Sequence, residues 1–166
     1  MAETKTQTQA LVGRHKRVSF MDCDGTLTRM TGFTSLSESK ESIEYSRQYV
    51  DEATERTDVV GYSTGVEYEY DRHTNNAVHE KVSKVSDDEI TGTEAQVDIV
   101  TVDLFSDDGT GSCDARKRTY SVIPDSSGDS TDALTYSGNF KTAGEAVKGT
   151  ATSSDGWKTC TFTAAE

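Results

Sequence analysis

Residues 41–72, ESIEYSRQYVDEATERTDVVGYSTGVEYEYDR, hold the pattern that decides the fold. This stretch contains five of the chain's seven tyrosines: Tyr45, Tyr49, Tyr62, Tyr68 and Tyr70. In its second half, apolar and aromatic side chains alternate with carboxylates. Val66, Tyr68 and Tyr70 share one face of the predicted strand, and the opposite face carries Glu67, Glu69 and Asp71. A period of two predicts a strand with one buried face and one solvent-exposed face.

The first half of the stretch also fits a strand, because Ile43, Tyr45 and Tyr49 share a parity. Tyr45 and Tyr49 would equally share one face of a helix, so the pattern leaves both structures open here. Between the two halves lies DEATERTD (residues 51–58), which has four acids, one arginine and no large apolar side chain. The stretch is interpreted as two long strands, joined by this polar loop, in the middle of a sheet.

The composition favours a fold with a small core. Only 33% of the 166 residues are hydrophobic, and the mean hydropathy is -0.66. Antiparallel sheets suit such a chain because each strand buries only alternate residues, and neighbouring subunits could supply further buried area. The length predicts one domain, residues 17–166, preceded by a flexible N-terminal arm, residues 1–16.

The net charge of -12 and a pI near 4.6 argue against binding to a nucleic-acid backbone, which requires clustered Lys and Arg. The three cysteines, Cys23, Cys113 and Cys160, are far apart and form no CxxC pair, which predicts free thiols in a reducing cytosol. No apolar stretch has the length of a signal sequence or a membrane span, so no membrane insertion is predicted.

After Arg72, residues 73–92 (HTNNAVHEKVSKVSDDEITG) predict the single α-helix of the chain. Its apolar side chains recur at helical spacing: Ala77, Val78, Val82 and Val85. Asn75 or Asn76 can cap the start of the helix, and Gly92 follows its end. About three turns are expected, laid on a sheet.

The remaining segments predict strands. Residues 96–105 (QVDIVTVDLF) switch parity, which indicates a strand that is buried on both faces or bulged. Residues 115–124 (ARKRTYSVIP) form the next strand, stopped by Pro124, and three closing strands follow. The predicted fold is mainly β (α+β): an antiparallel β-sandwich or barrel of about eight strands with one flanking α-helix.

One motif suggests an enzyme. Residues 20–28, FMDCDGTLT, resemble motif I of the haloacid-dehalogenase-like phosphatases, in which the counterpart of Asp22 would be the phosphoryl nucleophile and that of Asp24 the acid/base, with Mg²⁺ between carboxylates. That chemistry requires the end of a buried parallel strand, but the preceding residues 17–21 are too polar and too short for one. An Asx turn between two antiparallel strands, formed by the segment Asp22-Cys23-Asp24-Gly25-Thr26, is the favoured interpretation.

No other chemistry is indicated. His15, His73 and His79 lack the spacing of a zinc site, and neither a phosphate-binding glycine loop nor a nucleophile elbow is present. The sequence therefore predicts no catalytic residues, no metal and no cofactor.

The order of segments is similar to the major tail tube proteins of long-tailed bacteriophages, above all those of siphophages and prophages of Gram-positive hosts. The resemblance spans about residues 33–163, and these segments carry it: YSRQYVDEATERTDVVGYS (45–63), the alternating Tyr/Glu strand, the helix, the acidic loop SDDGTGSCD (106–114), ARKRTYSVIPDSSGD (115–129), YSGNF (136–140) and GTATSSDGWKTCTF (149–162).

The resemblance implies a structural virion protein with no enzymatic activity, assembled in the host cytoplasm and located in the tail. Its subunits would form hexameric rings that stack around a tape-measure protein, between the tail terminator and the baseplate. DNA would pass through without specific binding, past a lumen of carboxylates that repel phosphates. A tube of a contractile tail or tailocin shares this fold, and a β-sandwich adhesin is an alternative from another class.

By position, the resemblance implies three sets of site residues. The strands that close the ring carry Tyr45, Tyr49, Tyr62, Tyr68 and Tyr70. The loop that reaches the adjacent ring carries Asp51, Glu52, Glu55, Arg56 and Asp58. The candidate lumen carboxylates are Glu67, Glu69 and Asp71, for which an ordinary outer solvated face remains the alternative.

Overall fold

A computed structural model describes residues 9–107, 109–128 and 131–166. The described residues form nine β-strands and one α-helix, α1 (Ala77–Asp87). The strands are β1 Arg17–Cys23, β2 Thr26–Arg29, β3 Phe33–Arg47, β4 Arg56–Asp71, β5 Gln96–Asp103, β6 Cys113–Ser127, β7 Thr135–Thr142, β8 Val147–Thr152 and β9 Thr159–Ala164. The mainly β class with one helix is confirmed.

All nine strands belong to one antiparallel sheet, in the order β3-β4-β7-β6-β5-β1-β2-β9-β8. The long strand β6 pairs along one edge first with β8 and then with β7. The β6–β8 pairing closes six strands, β6, β5, β1, β2, β9 and β8, into a barrel. Strands β7, β4 and β3 continue from β6 as an open sheet beside that barrel.

The parity switch in β5 separates two hydrophobic cores. Val97 and Ile99 join the core under α1, whereas Val100 and Val102 line the barrel interior. Strand β1 also contributes to both cores, because Phe20 faces the barrel interior and Met21 faces the core under α1. The sequence interpretation of a strand buried on both faces is therefore confirmed, and no bulge is needed.

Helix α1 covers the first core. The Asn76 side chain accepts a hydrogen bond from the His79 backbone N–H at 3.2 Å, which caps the helix start as predicted. Val78, Val82 and Val85 are buried against the sheet, while Ala77, at the first turn, is exposed. On the sheet side, Tyr68, Tyr70, Tyr120, Val122, Tyr136 and Phe140 complete this core.

Strands β3 and β4 form the two long strands predicted from residues 41–72. The buried positions Tyr68 and Tyr70 alternate with the exposed Glu67 and Glu69, as expected. The prediction that both strands lie in the middle of a sheet was wrong for β3, which is the edge strand of the open sheet. Strand β3 also ends at Arg47, so Tyr49 lies in the connecting loop and neither a strand nor a helix contains it.

Two predicted strand ends were also wrong. Phe105 lies in a short 3₁₀ turn after β5, and Pro124 does not stop β6. The β6–β7 register shifts between Pro124 and Ser126, and this irregularity accommodates a residue without a backbone N–H. Residues 1–8 of the predicted arm lie outside the described residues, and the arm stays a prediction.

Candidate assembly surface

The far half of the β3–β4 pair projects from the rest of the sheet. We call residues 40–63 the distal hairpin; no residue in it is buried, and only Glu52 and Gly61 are half-buried. Seven large hydrophobic side chains nevertheless lie exposed on it: Ile43, Tyr45, Tyr49, Val50, Val59, Val60 and Tyr62. Isolated exposed apolar residues are ordinary, but a cluster on a projecting ribbon marks an interaction surface.

Both edges of the distal hairpin lack a partner strand among the residues that the structure describes. Among the described strands, β3 pairs with β4 alone, and β7 covers β4 only from Gly65 to Asp71. A two-stranded ribbon is marginally stable in water, and a long unpaired edge promotes pairing with another chain. The hairpin therefore offers backbone donors and acceptors along two edges as well as apolar side chains.

The residues predicted to reach an adjacent ring meet at the tip of this hairpin. Asp51 and Glu55 are exposed in the loop, and Glu52 forms an ion pair with Arg56 at 2.8 Å. The loop is held by a backbone bond from the Glu52 N–H to the Tyr49 carbonyl at 3.1 Å. Asp58 follows on β4, so the tip presents mainly carboxylates.

The carboxylates predicted to line a lumen lie together on the outer face of the open sheet. Glu67 stands between Ser37 of β3 and Asn139 of β7, and Glu69 stands between Ser35 and Ser137. Asp71 follows at the end of β4 and is half-buried. Because Tyr68 and Tyr70 point to the core under α1, the acidic face lies on the side of the sheet opposite the helix.

The five predicted tyrosines divide into two groups. Tyr45, Tyr49 and Tyr62 are exposed on the distal hairpin. Tyr68 instead stacks on Phe140 with ring centroids 4.4 Å apart, and burial raises its pKa to about 12. Tyr70 stacks on His79 at 4.5 Å and is fully buried. The last two rings hold the core, and β4 at these positions is paired with both β3 and β7, so neither residue is free to contact a neighbour.

The phosphatase-like segment forms the predicted Asx turn. The Asp22 Oδ1 atom accepts a hydrogen bond from the Gly25 N–H at 2.8 Å, and Asp24 and Gly25 both have positive φ. Strand β1 is antiparallel to both of its neighbours, β2 and β5, so the motif lacks the parallel-sheet context in which its chemistry operates. No cluster of three or more His, Cys, Asp or Glu side chains in the described ranges is arranged for a metal ion.

The sequence analysis named only tyrosines as ring-closing side chains, and the structure adds four exposed aliphatic ones: Ile43, Val50, Val59 and Val60. One sequence signal could have identified two of them: the adjacent pair Val59-Val60 breaks the alternation that marks a strand with one buried face.

None of the helices in the described part of the chain is long and apolar enough to cross a membrane.

Comparisons with known proteins find solved structures of similar fold but no match in sequence. No family model matches the chain, and no curated protein matches it. The fold is similar to that of a chain in the cryo-EM structure of the anti-feeding prophage baseplate, a six-fold symmetrised reconstruction. The TM-score is 0.56 at 10% sequence identity, over 85% of this chain and 97% of that chain. At this identity the likeness establishes a shared fold.

Proposed function

We propose that this chain is a structural protein of a phage-type tail, a tube subunit that self-assembles into stacked rings and has no enzymatic activity. The distal hairpin carries this proposal. It exposes seven large hydrophobic side chains and two unpaired strand edges, which a protein that acts as a monomer would be expected to blunt or cover.

The two free edges of the hairpin are different surfaces, so pairing between copies is head-to-tail. Such heterologous contacts close into a ring when the rotation between copies closes. Strands joined edge to edge around that ring form one continuous barrel, which removes every exposed edge. The tail-tube resemblance favours six copies, and the baseplate chain with a similar fold comes from a six-fold symmetrised assembly.

In such a ring the acidic face of β4 would line the channel, with α1 on the outside. Glu67, Glu69 and Asp71 would then repel the phosphates of DNA that passes through, in keeping with the net charge of -12. The proposed partners are further copies of the chain, a tape-measure protein, and the terminator and baseplate proteins at the ends of the tube. The proposed location is the virion tail, after assembly in the host cytoplasm.

A ring in the baseplate is a second candidate, favoured by the source of the structurally similar chain. The two functions differ in what the purified chain forms. A tube subunit adds ring upon ring without a fixed length, whereas a baseplate subunit stops at a single ring.

Negative-stain electron microscopy of concentrated protein, with light scattering, tests the proposal. Hollow rings or tubes with a regular axial repeat are expected. The double variant Val60→Asp/Tyr62→Asp should remain a folded monomer, because both side chains are exposed in the single chain. The control Leu134→Asp/Val147→Asp alters two exposed apolar residues elsewhere and should assemble. Wild-type protein that stays monomeric across concentration, salt and crowding agents would contradict self-assembly.

A further inference from the structure

A basic groove lies at the root of the distal hairpin, in a chain that is acidic overall. Its cavity volume is about 320 Å³, and it opens between the hairpin and the β1–β5–β6 face of the sheet. We name it the arginine groove; its lining includes Arg17, Lys40, Tyr62, Thr64, Arg116 and Arg118. Among the described residues that line it, Glu38 is the one carboxylate.

The four cations are incompletely neutralised. Arg17 pairs with Asp103 at 2.6 Å, and Lys40 lies 3.5 Å from Glu38. Within the described part of the chain, neither Arg116 nor Arg118 has an ion pair. The Arg118 side chain forms a hydrogen bond with Tyr120, but its Nε atom is buried and has no partner among the described residues. A buried donor without an acceptor is costly, so the groove is suited to an anionic ligand.

Carboxylates suited to this groove are found at the tip of the distal hairpin. Asp51 and Glu55 are exposed in the tip loop and Asp58 is exposed at the start of β4, while Glu52 is half-buried and paired with Arg56. The hairpin's own tip is out of reach, because Lys40 and Tyr62 of the groove belong to the same ribbon. Gln48, where the tip loop begins, is eight residue steps along the strand from Lys40, a distance of about 26 Å at roughly 3.3 Å per residue.

We propose that the acidic tip of one copy binds in the arginine groove of a second copy. Each copy carries one tip and one groove at separated places, so the contact is head-to-tail and repeats from copy to copy. This inference rests on the proposed function and deepens it, because it names the receptor site through which successive rings hold each other. Since the contact is electrostatic, its strength falls with added salt.

Charge reversal with rescue tests the pairing. The groove variant is Lys40→Glu/Arg116→Glu, and both positions are exposed, so the fold should persist. The tip variant is Asp51→Lys/Glu55→Lys, which leaves the Glu52–Arg56 ion pair intact. In each variant alone, the yield of the tip-to-groove cross-link should fall about tenfold or more. In a chain with all four substitutions, the yield should recover. The control Lys16→Glu/Lys84→Glu makes the same change in net charge as the groove variant, but at exposed sites away from the groove. It should leave the tip-to-groove contact unchanged.

Cross-linking between copies measures the contact without requiring tubes. One chain carries Thr54→Cys at the exposed tip, the other carries Ala146→Cys at the lip of the groove, and a short bis-maleimide joins them. Chains without the added cysteines set the background from Cys23, Cys113 and Cys160. The cross-link should form at low salt, disappear when either surface is reversed, and return when both are reversed.

The outcomes separate this inference from the proposed function. If the wild type and the groove variant both form tubes, and the cross-link yield is the same in both, the inference is wrong and the tube function is still supported. A groove-dependent cross-link from protein that forms no ring or tube supports the inference and contradicts the tube function. Rings without stacking in each single-surface variant, rescued in the fourfold variant, support both. A cross-link at background level in the wild type overturns the inference.

Discussion

The backbone N–H of His73 donates a hydrogen bond to the Nδ1 atom of His79 at 3.0 Å, which fixes the protonation of a fully buried ring. With Nδ1 acting as the acceptor, the proton lies on Nε2, which donates to the Thr31 carbonyl at 2.7 Å. The neutral imidazole therefore joins α1 to the segment before β3 and to the end of β4. Both ring nitrogens are satisfied, so a second proton would break one of these bonds.

The first prediction concerns pH. Burial, with smaller effects from His73 and Arg72, lowers the pKa of His79 below its usual 6.5. The unfolded chain then binds a proton that the folded chain does not. The contribution to stability is complete above pH 6.5 and is lost as the pH falls, by at most about 1.4 kcal/mol per pH unit, until the folded pKa is passed.

Urea unfolding between pH 5 and pH 8 measures this effect. His79→Gln should be destabilised at pH 8 by about 1–3 kcal/mol, because a buried partner is lost, and the gap to wild type should narrow toward pH 5. His15→Gln, at an exposed position, should follow the wild type at every pH. A gap between His79→Gln and wild type that stays constant with pH would show that the pKa of His79 is the same in the folded and unfolded chain.

A second prediction concerns Gly138, which lies against the ring of Tyr68. A Cβ there would be 2.5 Å from the Ile123 carbonyl oxygen and 2.7 Å from the Tyr68 Oη. Gly138→Ala must displace backbone as well as a packed ring, and should lower the free energy of unfolding by about 1–3 kcal/mol. Gly65→Ala is the control, because its Cβ would meet nothing nearer than 3.8 Å. Equal melting temperatures for the two variants would contradict the packing described.

Asp155 organises the turn between β8 and β9. Its Oδ1 accepts hydrogen bonds from the Lys158 and Thr159 backbone N–H groups, and its Oδ2 accepts one from the Thr159 hydroxyl at 2.6 Å. The hydrogen bonds from Thr159, chiefly, lower the pKa of Asp155 to about 2.

The third prediction follows from that lowered pKa. The stabilising effect is present above the usual pKa near 4 and is lost as the pH falls through about 2. Asp155→Ala should speed amide hydrogen exchange in β9 at pH 6, and its difference from wild type should shrink toward pH 2. Asp88→Ala, at an exposed site beyond α1, should leave exchange in β9 unchanged. Faster exchange in both variants would point to a general charge effect.

The strands could be predicted from the sequence wherever the pattern of side chains shows which residues are buried in the core of the single chain. The alternation at Tyr68 and Tyr70 and the parity switch at Ile99 and Val100 both record which face meets a core. Asn76 and the spacing of the valines likewise define the helix, because capping and amphipathicity are local properties.

Two features could not be predicted from such local patterns: the position of β3 at an edge of the sheet, and the arginine groove. An edge strand and an interior strand can share the same alternation, and the polar run before Ile43 gives no sign of which strand will pair with it. Arg116, Lys117 and Arg118 are three consecutive cations, so their order alone does not show which of them face a groove. The meeting of Arg116 and Arg118 with Lys40 depends on how the open sheet lies beside the barrel, which no local pattern encodes.

A fourth prediction separates the Asx turn from the phosphatase chemistry that residues 20–28 resemble. Asp22→Asn keeps a side-chain oxygen for the Gly25 N–H and should have nearly wild-type stability. Asp22→Ala removes that acceptor and should cost about 0.5–1.5 kcal/mol. Hydrolysis of a chromogenic phosphate ester with Mg²⁺ should be at background in all three proteins. Turnover in wild type that disappears in Asp22→Asn would restore the enzymatic interpretation.

The fifth prediction asks which way the acidic face of β4 points in an assembled tube. Glu67→Lys/Glu69→Lys turns the proposed lumen wall cationic, so DNA that enters should be retained there by its phosphates. Both positions are exposed in the single chain, and the fold should be affected little. Glu80→Lys/Asp88→Lys makes the same charge change on and just beyond α1, which would lie on the outside of the tube.

Nuclease protection of a bound fluorescent oligonucleotide distinguishes the two faces. Assembled tubes of the Glu67/Glu69 variant should shield the oligonucleotide from digestion, and added salt should release it because the attraction is screened. Tubes of the Glu80/Asp88 variant should bind DNA only on their outer surface, where the nuclease cleaves it. Equal cleavage on both variants would place Glu67 and Glu69 on an ordinary solvated face, and the channel lining would then have to come from another strand.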